Sequence, residues 1–149
     1  MGFIYYNNNP KGYEAKEDSI IRAIALILEI DYKEAYKRLF EIACKKCRMI
    51  NEKHVYRQLL RDERWITEKM PQNEDGTRQT VSQFCEGIGK QGRYVLQLAN
   101  KSLVVCIDGN IYDIYDSRYK AHNNKEEQYV YNYFRKLEPG DHPRNYYIR

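Results

Sequence analysis

Up to about residue 65 the apolar residues of the chain recur at helical spacing, and after residue 90 they alternate as strands do. The run Ser19-Ile20-Ile21-Arg22-Ala23-Ile24-Ala25-Leu26-Ile27-Leu28 is apolar at every position after the first except Arg22. A helix apolar nearly all round belongs in the middle of a domain, and Asp18 or Ser19 is available to cap it. A second helix is predicted from Asp31, with Glu34 three residues on as a variant of the capping box. Its predicted buried stripe is Tyr32, Ala35, Tyr36, Leu39, Phe40, Ala43 and Cys47. A third begins near Asn51, with Val55, Tyr56, Leu59 and Leu60 as its inner face. Residues 3–6 and 65–69 read as short strands, 72–78 as a turn with Asp75-Gly76 at its tip, and 80–87 as a short helix.

Beyond residue 90, strands are predicted over 94–98, 103–107 and 111–115, the last two joined by a hairpin turn at Asp108-Gly109. Residues 129–134 alternate tyrosine with other residues and read as an outer strand, and the tail, 137–149, as irregular. Helices first and an antiparallel sheet second predict one α+β domain over residues 1–149.

Composition narrows the picture modestly. A chain of 149 residues can bury one real core. Fifteen tyrosines allow both a core and an adhesive rim, because tyrosine buries a ring and keeps a polar tip. The net charge of +4 permits an anionic ligand or nucleic acid without demanding one. The chain start lacks a basic, then apolar leader, and no apolar run approaches the roughly 18 residues of a membrane span. A cytoplasmic protein with reduced thiols at 44, 47, 85 and 106 is therefore expected, not a membrane protein. Cys44-Lys45-Lys46-Cys47 lacks a second ligand pair at finger-like spacing, and Gly87-Ile88-Gly89 lacks the rest of a nucleotide loop, so neither a metal nor a cofactor is expected.

The chemistry concentrates at Ser19. A small nucleophile-type side chain opens a buried helix, at the end whose dipole would activate a thiol. A base from a strand and an orienting acid would complete a triad. The run Asn9-Pro10-Lys11, then Glu17-Asp18-Ser19-Ile20-Ile21-Arg22-Ala23-Ile24, resembles the Asn-Pro-Lys, Gly-Asp-Cys-x-x-Arg-Ala signature of small papain-like proteins of phages and mobile elements of Gram-positive bacteria. The likeness continues through Arg48 to Lys53, Trp65, Lys69-Met70-Pro71, Asp75 to Arg78 and Phe84-Cys85. It ends in Asp108-Gly109-Asn110-Ile111-Tyr112-Asp113 and Tyr115-Asp116. It implies a papain-like fold, with a central helix packed on an antiparallel sheet, and a bacterial host cell.

The chain departs from that pattern at two catalytic positions. The family's cysteine aligns with Ser19 and its histidine with Lys101 or Ser102, while an acid is kept as Asp113 or Asp116; His54, His122 and His142 lie elsewhere. Loss of nucleophile and base together implies a pseudo-enzyme that binds a host protein or ligand, for example a defence component. A Ser19–Lys101 dyad is the hydrolase alternative, but Asp113 and Asp116 are expected to hold Lys101 protonated in a salt bridge.

Two further groups are candidates for partner binding. Lys53, Arg57, Arg61 and Arg64 recur at spacings of four, four and three, as one helix face would. Such a stripe either meets phosphates or acidic protein, as in a nucleic-acid-binding regulator, or is a solvated face, with Glu52, Asp62 and Glu63 close by. Tyr129, Tyr131 and Tyr133 share one face of a regular strand, and form either an aromatic binding surface or plain core.

Overall fold

The apolar run becomes α1 (Ser19–Leu28), buried along nearly its whole length, which the computed structural model places against the sheet. Residues 2–121 and 124–141 are described. Helix α2 (Tyr32–Lys46) starts as its sequence predicts, with the Asp31 carboxylate accepting the Glu34 backbone N–H. Helix α3 (Lys53–Asp62) turns Val55, Tyr56, Leu59 and Leu60 inward. These helices cover one face of a sheet built from β1 (Gly2–Tyr5), β2 (Trp65–Glu68), β3 (Arg93–Leu98), β4 (Leu103–Ile107), β5 (Asn110–Asp113) and β8 (Val130–Lys136). Helix α4 (Val81–Glu86), opened by a reciprocal Thr80–Gln83 capping box, packs with Phe84 on the opposite face. A hairpin of β6 (Tyr119–Ala121) and β7 (Asn124–Glu127) stands apart.

The fold class is α+β, with three corrections of detail. The sheet is mixed, not antiparallel: its order is β1-β5-β4-β3-β8-β2, and β1 runs parallel to β5. The first strand precedes every helix and forms one edge, while β2, which follows α3, forms the other. The strand expected on the outside, β8, lies inside, between β3 and β2. Its Val130 and Phe134 are fully buried on opposite faces, which an edge strand would not need. On α2 only Ala35, Leu39 and Ala43 are buried, while Tyr36, Phe40 and Cys47 are exposed. This helix packs chiefly on α1 and α3, so its buried stripe is narrow, and Cys47 sits past its end with φ of 53°. Residues 137–141 contain no helix or strand, and the rest of the expected irregular tail lies outside the described residues.

Helix α1 is tied to the sheet at both ends. At its C-terminus the Arg93 guanidinium of β3 donates to the Leu26 and Ile27 carbonyls and pairs with Glu29, where a cation complements the helix dipole. At its N-terminus Arg22 reaches β5. That second tie builds the site.

Candidate functional site

Arg22 is the one charged residue in an apolar helix, and a charge buried there must be paired. Its side chain is 5% exposed. Nε donates to Asp18 Oδ1 and Nη1 to Asp113 Oδ1, both at 2.8 Å, and Nη2 donates to the Ala15 carbonyl at 3.4 Å. Burial alone would pull the guanidinium's pKa down, but the hydrogen bonds and charges of the two carboxylates outweigh it and raise the pKa. The other oxygen of Asp18 accepts from Tyr32 Oη at 2.8 Å and Asn9 Nδ2 at 3.2 Å. Burial and the hydrogen bond to Asp18 push the Tyr32 phenol up to about 12. Asp18 therefore stands at the helix start without capping it by its side chain: its carboxylate is spent on Arg22, Tyr32 and Asn9.

This latch brings the start of α1 to the end of β5, beside a cleft of about 820 Å³. The walls are the N-termini of α1 and α3, the β3–β4 turn at Ala99 to Ser102, and Asp113, Tyr115 and Tyr131. Ser19 lies on its floor, 8% exposed. Its Oγ accepts the Leu103 backbone N–H at 3.4 Å, which is long for such a bond. No cysteine lines this cleft. Burial, then the Asp113 carboxylate, push the Tyr115 phenol above its ordinary value, and burial pushes Tyr56 up to about 12.

Of the triad positions, Ser19, Lys101 and Asp113 line one cleft, and Asp116 does not. Asp116 sits by a small separate hollow and is gripped by Arg118, with Oδ1 and Oδ2 accepting from Nε and Nη2 at 2.8 and 2.6 Å. Burial works to raise its pKa, and the hydrogen bonds and charge of Arg118 more than reverse that, so it is lowered. The salt bridge expected at Lys101 does not form. Both acids already have guanidinium partners, and Lys101 is exposed at φ of 72° in a tight turn closed by Leu98 and Ser102.

The basic residues do not form one stripe. Lys53 lines the cleft. Arg57 turns toward the sheet, where Nη2 donates to Gln97 Oε1 at 2.9 Å and Asn132 Oδ1 at 3.1 Å. Arg61 is half-buried, and Arg64 lies beyond α3 at φ of 67°. The three tyrosines are also dispersed, because β8 carries a bulge. Gln97 pairs with Asn132 and Leu98 with Val130, leaving Tyr131 as the extra residue. Tyr131 enters the cleft wall, 47% exposed, and Tyr133 packs on Phe84 and Tyr94 on the opposite face. Tyr129 lies under the Arg78 guanidinium, 4.7 Å from it.

Sequence reasoning missed the pairing of Arg22, the place of Gln97 and the cleft position of His54, which opens α3 and shares the cleft with Ser19. A signal for the first existed: Asp18 and Arg22 stand four apart at a helix start. His122 and His142 lie outside the described residues. Among the described residues no group of three or more His, Cys, Asp or Glu is placed to hold a metal ion, and no helix is long and apolar enough to cross a membrane. Comparison of the chain with known protein families, characterised proteins and solved structures finds no match.

Proposed function

We propose that this chain is a papain-like pseudo-enzyme whose cleft binds a host protein or ligand without hydrolysing it. The observation that carries this reading is the spending of the acid: Asp113, where a triad would orient its base, is held by Arg22 at 2.8 Å. Ser19 has a backbone amide beside it and no hydrogen-bonded base among the described residues, and the residue at the base position, Lys101, is exposed in a turn. A nucleophilic hydroxyl needs a base within hydrogen-bond reach, with a third group to orient that base. What supports the papain-like reading is a buried helix whose N-terminus opens on a cleft bounded by a sheet hairpin. The phage setting, and a role in blocking a bacterial defence component, rest on the sequence resemblance.

Hydrolysis is the second reading, and the presence of His54 in the cleft favours it. Fluorophosphonate labelling with mass mapping separates the two. The expected result is an unmodified Ser19 and no turnover of peptide or amide reporters. A Ser19 adduct whose formation is abolished in His54→Ala overturns the binding-only reading.

A further inference from the structure

The polar network beneath the cleft ends in a side-chain amide with no acceptor among the described residues. Asn132 Nδ2 gives its hydrogen to the Glu68 carbonyl at 2.9 Å, which fixes its amide and turns Oδ1 toward Arg57. Arg57 is donor-only, so the Gln97 atom facing its Nη2 must be the carbonyl oxygen. Gln97 is 6% exposed and lines the cleft. With its oxygen held by Arg57, its amide Nε2 has no acceptor among the described residues. It is not sealed away either: in this network the buried atom without a partner is Arg57 Nε, and the Gln97 amide sits in the cleft wall as a donor free to meet a ligand, held in place by a chain of three side chains. Ser19 repeats the pattern: its Oγ accepts from Leu103, and its own hydrogen has no acceptor among the described residues.

We infer that the cleft is a carboxylate-recognition site, in which the Gln97 side-chain amide and the Ser19 hydroxyl donate to the two oxygens of a ligand carboxylate. The inference deepens the binding reading above and rests on it. The surroundings have the right sign. Both α1 and α3, each of ten residues, open on the cleft without a side-chain cap, which leaves the positive ends of their dipoles facing it. Lys53 and Lys101 stand on its walls. Of the acids there, Asp113 is paired with Arg22, and Glu52 is engaged by the Met49 N–H and Arg48. Glu17 is exposed at the entrance and opposes a doubly charged group more strongly than a singly charged one.

The test is an NMR titration of the whole chain with acetate and N-acetylglycine, following the Gln97 side-chain amide and the Ser19 backbone amide. N-acetylglycinamide and inorganic phosphate serve as comparison ligands. Both carboxylates are expected to shift these resonances saturably, and the neutral amide is not. Gln97→Glu keeps the shape of the side chain and gives Arg57 a carboxylate partner, so the fold should persist, as a thermal melt verifies. In that variant the donor is replaced by a negative charge, and affinity should fall roughly tenfold or more. The inference is overturned if the carboxylates leave the cleft resonances unmoved, or if the neutral amide or phosphate binds as well. Undiminished carboxylate affinity in folded Gln97→Glu overturns it too. A cleft that labels at Ser19 yet takes carboxylates sinks only the binding-only reading. An unlabelled cleft indifferent to carboxylates sinks only this one.

Discussion

Arg22→Met should be among the most destabilising substitutions in this protein, and it tests the account of the site directly. Methionine fills much of the arginine's volume and removes the charge, so packing loss stays small. What remains is two carboxylates, Asp18 and Asp113, buried without the guanidinium that each touches at 2.8 Å. Removing one partner of a buried ion pair costs about 3–5 kcal/mol, because the other charge is left uncompensated. Asp18 retains hydrogen bonds from Tyr32 and Asn9, and Asp113 retains the Ile114 N–H at 2.7 Å, so the cost stays within that range and does not double. Against a total stability on the order of 5–15 kcal/mol this is a large fraction. For a chain of this length it corresponds to a fall in Tm of roughly 10 °C. Urea denaturation at neutral pH, followed by circular dichroism, gives the number. The triple variant Asp18→Asn/Arg22→Met/Asp113→Asn should recover much of the loss, since no buried charge is then left over. An Arg22→Met protein within about 1 kcal/mol of wild type would refute the reasoning, because surface pairs are worth that much and buried ones are not.

Two further outcomes follow from the same structure. Asp116 has a lowered folded-state pKa, so its pairing with Arg118 adds stability that is fully present above the ordinary aspartate pKa and lost as pH falls through the folded value. Asp116→Asn should therefore destabilise at neutral pH and make little difference once the medium is acid enough to protonate the wild-type carboxyl; equal loss at both pH values would contradict this. Gly89→Ala adds a Cβ that would meet the Phe84 ring at 2.8 Å and Cys106 Sγ at 2.9 Å. Overpacking of this kind costs about 1–3 kcal/mol, read as a lower Tm, and an unchanged Tm would mean that the α4 layer yields more easily than its packing implies.

The helices were legible because their signals are local. The apolar run after Ser19, the Asp31 cap and the Asp108-Gly109 turn each act within a few residues. What stayed hidden depends on partners far along the chain. Nothing near residues 2–5 says that their neighbour is 110–113 and parallel. Nothing within 129–134 announces the bulge that sends Tyr131 to one face and Tyr133 to the other. The β6–β7 hairpin went unread because its residues are polar and lack alternation. At the site, Ser19 was matched with Asp113 or Asp116 through the resemblance to the papain-like signature, and only Asp113 shares its cleft. The acid's true partner was obscured by the assumption that it faces Lys101. Arg57 looked like part of a charged face because helical spacing alone does not say which way a half-buried arginine leans.

Ribosomes deliver a chain from its first residue onward, and the parallel pairing of β1 with β5 gives that order a consequence. The strand at residues 2–5 and the guanidinium at residue 22 emerge ahead of residues 110–113, and both wait for them. Ninety-one positions separate Arg22 from Asp113, an interval on the order of 5–20 s at cellular rates of synthesis. Until β3 and β4 (residues 93–107) are made, the most apolar helix of the protein has no sheet to lie on, and until β5 is made the first strand has no neighbour. The cleft beside Ser19 is thus among the last features the nascent chain completes. A chain stalled short of residue 93 would present an exposed apolar helix and an unpaired edge, the features that chaperones and proteases recognise.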